Sequence, residues 1–158
     1  MKIDLRRADA KDWRQVAETF IAARAAMTYL PDLHTQAETL AFIRHVVETQ
    51  EVWVTLGVID GKSHVVGFAA LHGDRLDHLY VHPAMQSRGM GAALLDEVKT
   101  QRHQGFSLWT FQQNIRARQF YERHGLTLAR TTDGRDNEEG LPDALYVWRG
   151  AGSKEDSS

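Results

Sequence analysis

At 158 residues, 42% hydrophobic and 25% charged, the chain has the size and composition of one soluble globular domain with a single core. Its net charge of −2 argues against a general nucleic-acid binder, which needs clustered Lys and Arg, and the absence of cysteine excludes disulfides, thiol nucleophiles and cysteine–metal sites. The first residues are charged where a signal peptide would be apolar, and no apolar run approaches the ~20 residues of a membrane span, so a cytoplasmic protein with neither membrane nor nucleic-acid partners is expected.

Ile3 and Leu5 alternate with Lys2, Asp4 and Arg6, which predicts a short opening strand. Asp9 or Asp12 can cap the helix that follows, where Trp13, Val16, Ala17, Phe20, Ile21 and Arg24 recur at helical spacing as far as about Met27. Thr28 to Asp32 breaks it. Thr35 and Glu38 form a capping box for a second helix to about Thr49, with Leu40, Ile43, Val46 and Val47 on its apolar face. The loop between the helices carries Tyr29 and His34, either as a plain connector or as a contact for a substrate.

From Glu51 the period shortens to two: Val52, Val54, Leu56 and Val58 alternate with Trp53, Thr55 and Gly57. Asp60-Gly61 supplies a hairpin turn and 64–71 the returning strand. After a turn at His72-Gly73-Asp74, a strand begins at Leu76, with Leu79 and Val81 on one face and His78 and Tyr80 on the other. Pro83 ends it, and Gly89-Met90-Gly91 leads directly into a helix from Gly91 to about His103. A strand follows at 106–111, placed by a right-handed crossover parallel to the strand from Leu76. Asn114 caps a further helix to about His124, closed by Gly125, and two last strands are predicted at 126–131 and 144–149.

A strand, a glycine turn and a helix start make an anion site, because the first helical N–H groups are free and the dipole is positive there. Two familiar nucleotide motifs fail. Leu94 stands where a dinucleotide fingerprint needs a third glycine, and Ala92-Ala93 stand where a Walker loop needs Lys then Ser or Thr. Asn114 and Tyr121, seven residues apart, share one helix face with Ala117 between them. By spacing alone Tyr121 serves equally as a core aromatic beside Phe120, and Asn114 as a cap. Of the eight histidines only His78 and His82 are four apart, on a predicted strand without an intervening Glu, so no metal site is expected.

Gln86-Ser87-Arg88-Gly89-Met90-Gly91-Ala92, preceded by Leu79-Tyr80-Val81-His82-Pro83, resembles the acyl-CoA signature of the GNAT N-acetyltransferases. Asn114 to Leu126, with Ala117, Phe120-Tyr121 and Gly125, resembles the family's second motif, Leu126 replacing the commoner Phe. The resemblance implies an α/β (α+β) fold: a mixed, mostly antiparallel sheet of six to seven strands splayed at the centre, with about four helices on both faces. It covers a single N-acetyltransferase domain at 2–150, and the small polar residues 151–158 are expected to be a disordered tail.

The same resemblance implies an acetyl-CoA-dependent transferase that moves an acetyl group to a primary amine of a small molecule or protein by direct attack. Acetyl-CoA as co-substrate would lie between the splayed strands 76–82 and 106–111, its pantetheine paired with backbone groups around Leu79, Tyr80 and Val81. Its pyrophosphate would rest on Gln86, Ser87, Arg88, Gly89, Met90, Gly91 and Ala92, with Asn114 on the pantetheine. Tyr121 would protonate the departing thiolate and the Leu79 N–H would polarise the thioester. One common position of the family's base falls on Arg75, which cannot serve. His78, Asp77 or a water path remain, each also readable as ordinary strand chemistry. Glu138, Glu139 and Asp143, in the loop before the last strand, would suit a cationic acceptor, or are a solvated turn. A homodimer is compatible with the family, and a non-catalytic acyl-CoA sensor is the alternative function.

Overall fold

A computed structural model describes residues 3–151. Seven strands form one sheet: β1 (Asp4–Arg7), β2 (Glu51–Ile59), β3 (Lys62–His72), β4 (Arg75–Val81), β5 (Phe106–Phe111), β6 (Thr127–Thr132) and β7 (Asp143–Trp148), in the order β1-β2-β3-β4-β5-β7-β6. Helices α1 (Trp13–Ala25) and α2 (Gln36–Thr49) cover one face, and α3 (Met90–Gln101) and α4 (Ile115–Arg123) the other. The splayed mixed sheet with four helices is the fold expected from the sequence. Of the tail predicted at 151–158, only Ala151 lies within the described residues.

Local chemistry sets these elements. Thr35 Oγ accepts the Glu38 N–H at 3.1 Å and Glu38 returns the bond to the Thr35 N–H at 2.7 Å, completing the predicted capping box of α2. Asp60 and Gly61 take φ of 51° and 78°, the left-handed pair that a tight hairpin between β2 and β3 needs. The first helix differs from its prediction. A 3-10 turn at Ala10–Asp12 precedes it, because the Asp12 carboxylate takes the Asp9 N–H at 2.7 Å and the Arg6 guanidinium at 2.8 Å.

Two cores lie on opposite faces of the sheet. Val16, Phe20, Ile43 and Val46 pack on Val52, Val54 and Phe68, while Leu94, Leu95, Val98 and Tyr121 pack on Leu76, Phe106, Leu108 and Tyr146. Gly67 of β3 permits the close approach of α3: a Cβ there would lie 2.5 Å from Thr55 Oγ1 and 3.2 Å from Leu94 Cδ1.

The sheet changes character at its centre. β4 and β5 are parallel and in register only at Arg75 and Ser107, with the Ser107 N–H on the Asp74 carbonyl at 3.0 Å. On its other side β4 is fully paired with β3, where Ala70 faces His78 but Leu71 faces Leu76. Asp77 is therefore one residue too many, a β-bulge that bends and twists the strand. The bulge puts Leu76, Leu79 and Val81 on the α3 side and His78 and Tyr80 on the α1 side. Among the described residues no helix is long and apolar enough to cross a membrane.

Candidate active site

Where β4 and β5 part, they leave a cleft of about 840 Å³. Its walls come from Leu79 to Val81 of β4, the turn around Gly89, Leu108 to Phe111 of β5, and α4, with Tyr29 and the end of α1 at one mouth. The direction of the β4 backbone follows from one bond. The His82 N–H donates to the Val66 carbonyl at 2.7 Å, on the β3 side. Peptide groups alternate along a strand, so the N–H and C=O of Leu79 and Val81 turn the other way, into the cleft.

At the far end of β4 the chain turns through Ser87 (φ 68°) and Gly89 (φ 83°) into α3. The first ladder bond of that helix runs from the Ala93 N–H to the Gly89 carbonyl at 3.0 Å. Among the described residues no carbonyl accepts from Met90, Gly91 or Ala92, and neither α3 nor α4 has an acid in its first turn. Two positive helix ends without an acid thus border the cleft, that of α3 also without a side-chain cap. Gly91 has no positive φ, so its small size rather than its conformation matters there.

Across the cleft, Asn114 Oδ1 caps α4 by accepting the Ala117 N–H at 3.1 Å, which leaves its amide NH₂ to donate. Tyr121 lines the cleft and is buried against Phe120 and Tyr146. Burial, helped by the nearby Tyr80, pushes its phenol above the ordinary range, so it holds its proton. The Tyr146 hydroxyl fixes this helix by donating to Glu122 Oε2 at 2.6 Å and accepting from Arg118 Nε at 3.0 Å.

A smaller cavity of about 360 Å³ shares Trp109, Thr110 and Phe111 with the cleft and adds Asn137, Glu139 and Asp143. Glu139 Oε2 accepts from Arg24 Nη2 at 3.3 Å, and Arg24 Nη1 lies 3.5 Å from the Tyr80 hydroxyl. Tyr29 stacks edge-on against Phe111, and its buried hydroxyl has no partner among the described residues.

Leu79, Tyr80, Val81, Gln86, Ser87, Gly89, Met90, Gly91, Ala92, Asn114 and Tyr121, all anticipated from the sequence, line one cleft. His78 does not join them. Its ring is enclosed by Phe20, Phe42, Phe68 and Tyr80 on the helical side of β4, and burial outweighs the Asp77 charge to push its pKa down to about 4. A weak base facing away from the cleft corrects the expectation that His78 serves there. Asp77 is engaged by Arg75 and by Gln50 Nε2, the latter at 3.2 Å. Arg88 is exposed and outside the cleft lining. Glu138 is bound to His34 Nε2 at 2.6 Å, and it is its neighbour Glu139 that reaches the cavity. Arg116 was absent from the expected set, yet it lines the cleft. A cation in a helix's first turn opposes the dipole, and that oddity was the available signal. Among the described residues no three His, Asp or Glu side chains gather into a metal-ligating cluster.

Solved structures share this architecture. The apo form of YjaB from Escherichia coli superposes with a TM-score of 0.75 at 21% identity, over 96% of this chain and 100% of that one. The structure of yncA from Salmonella typhimurium with its cofactor acetyl-CoA gives 0.67 at 20% identity, over 94% of each chain. The ribosomal-protein-S18-alanine N-acetyltransferase of Escherichia coli gives 0.67 at 17% identity, over 95% and 96%. At such identities the likeness is one of fold. By sequence, no curated protein matches. Residues 48–126, half of the chain, match the acetyltransferase (GNAT) domain family. The chain belongs to the GNAT acetyltransferases.

Proposed function

We propose that residues 2–150 act as one acetyl-CoA-dependent N-acetyltransferase domain that acetylates a primary amine by direct attack in a ternary complex. The observation that carries this reading is the edge of β4 that no strand pairs: the Leu79 and Val81 peptide groups turn into a cleft bounded by two helix N-termini and by the protonated Tyr121, with Gln86 Nε2 3.5 Å from the Val81 carbonyl. The donor fits those groups. A pantetheine amide chain can take the strand pairing that β5 abandons, the Asn114 amide can donate to it, and the Met90, Gly91 and Ala92 N–H groups suit a diphosphate. When bound, acetyl-CoA supplies an activated acyl carbon and a thiolate leaving group.

This chain's own groups then do the rest. The Leu79 N–H aims at the negative charge that develops on the carbonyl oxygen, a donation typically worth roughly 3 kcal/mol. Tyr121 keeps its proton until the sulfur needs it. His78 faces away from the cleft, and Asp77, although in its lining, is held by Arg75 and Gln50, so in this reading the amine's proton goes to water in the open cleft. The acceptor enters beside Tyr29 and Tyr80, where Trp109 and Phe111 with the carboxylates Glu139 and Asp143 favour a cationic amine. The setting is cytoplasmic.

Thiol release from acetyl-CoA across a panel of amines tests this. Turnover with at least one amine, and a fall in kcat of about 10²-fold in Tyr121→Phe at nearly unchanged KM for acetyl-CoA, are expected. Tight CoA binding without turnover on any amine would instead make the domain an acyl-CoA sensor.

A further inference from the structure

Arg116 is held in a way that none of the chain's ion-paired arginines is. Its guanidinium reaches from the first turn of α4 across the cleft mouth to the turn before α3, placing Nη1 2.9 Å from Gln86 Oε1 and Nη2 3.0 Å from Ser87 Oγ. Both partners are neutral. Elsewhere Arg6 pairs with Asp12, Arg24 with Glu139, Arg75 with Asp77 and Arg102 with Glu51, but among the described residues no carboxylate lies within ion-pair distance of Arg116.

Its position is also unfavourable for the free helix, since a cation in the first turn faces the positive dipole end, and no acid in that turn relieves it. The same guanidinium bonds Ser87, in the turn that leads into the second positive helix end at Met90. A charge placed against two like poles and held by neutral oxygens is arranged for an anion that satisfies all three. The present bonds carry charge on the guanidinium alone, whereas phosphoryl oxygens add the opposite charge and a bidentate geometry, so such an anion would displace Gln86 and Ser87 as partners.

Resting on the acetyl-CoA reading above, we infer that Arg116 is the cationic clamp for the donor's diphosphate, exchanging Gln86 and Ser87 for phosphoryl oxygens as the donor binds. It touches neither the thioester nor the amine, so it governs donor affinity and not the chemical step. The diphosphate is assigned over the ribose 3′-phosphate because Gln86 and Ser87 belong to the same turn as the free N–H groups of Met90 to Ala92.

The test compares the wild type with Arg116→Gln and Arg116→Lys on acetyl-CoA and on dephospho-acetyl-CoA, which lacks the 3′-phosphate. Arg116→Gln is expected to raise KM about tenfold on both donors with kcat within about twofold, and Arg116→Lys to recover part of the loss. Unchanged KM in Arg116→Gln, a defect that vanishes on dephospho-acetyl-CoA, or a fall in kcat at constant KM would each overturn the assignment. Failure of the wild type itself to bind acetyl-CoA would overturn the donor reading beneath it. The side chain is exposed, and equal thermal unfolding of the free proteins separates lost binding from lost folding.

Discussion

The imidazole of His78 is ringed by Phe20, Phe42, Phe68 and Tyr80, and burial there pushes its pKa down to about 4 against the Asp77 charge, with Arg24 adding to the fall. Its Nδ1 has no partner among the described residues. An unfolded histidine binds a proton below about pH 6.5, so between that value and about 4 the unfolded chain carries a proton that the folded one refuses. Stability therefore falls as pH drops through this window, by an amount on the order of 3 kcal/mol for this group. In His78→Phe, denaturant unfolding from pH 7 to 4 should be flatter than in the wild type, and acetyl transfer at pH 7 should persist because the ring lies outside the cleft. A parallel pH dependence in the two proteins would contradict this. The pKa could not be read from the sequence, since an alternating strand gives a residue's face but not what covers it.

At the scale of elements, the turn into α3 separates two kinds of glycine. Gly89 sits at φ 83°, which a β-branched residue resists, whereas a Cβ on Gly91 would meet nothing closer than Phe120 Cζ at 3.5 Å. Gly89→Val should lower both the thermal midpoint and acetyl-CoA affinity, while Gly91→Ala should keep the midpoint and weaken affinity alone. Ser87→Ala should do least. Thermal unfolding and calorimetric titration check the three together, and equal donor affinity across them would refute the turn's role as an anion cradle. This turn was legible in the sequence because glycine, proline and cap residues act locally: Pro83, Gly89, Asn114 and Thr35–Glu38 all fall where their chemistry predicts. Arg116 was not, because its place is defined by a partner distant in the chain, Ser87, and Glu139 was singled out without its distant partner Arg24.

The whole molecule is two half-sheets that meet edge to edge at one register pair, Arg75 with Ser107, while α3 crosses between them. The meander and the parallel crossover followed from the spacing of apolar runs, the insertion of β7 between β5 and β6 did not, and the gap itself came from family resemblance. The extra residue at Asp77, which bends β4 beside that gap, is invisible to a periodicity count. Leu79 and Val81 alternate as any strand does, and the skipped step shows only against β3.

That skipped step makes the cleft vulnerable to the loss of a single codon. With Asp77 deleted, Leu76 still faces Leu71 and His78 still faces Ala70, so every side chain of β4 keeps its side of the sheet. What disappears is the bend, and a straight β4 can run on beside β5 and satisfy there the peptide groups now turned to the donor. The deletion should thus yield a protein with unchanged far-ultraviolet circular dichroism and a thermal midpoint no lower than the wild type, yet unable to bind acetyl-CoA. Retained binding would show that the separation of the strands has another origin. In this reading catalytic capacity rests on an insertion that a more regular sheet would do without, and one in-frame deletion would turn an enzyme into an inert scaffold.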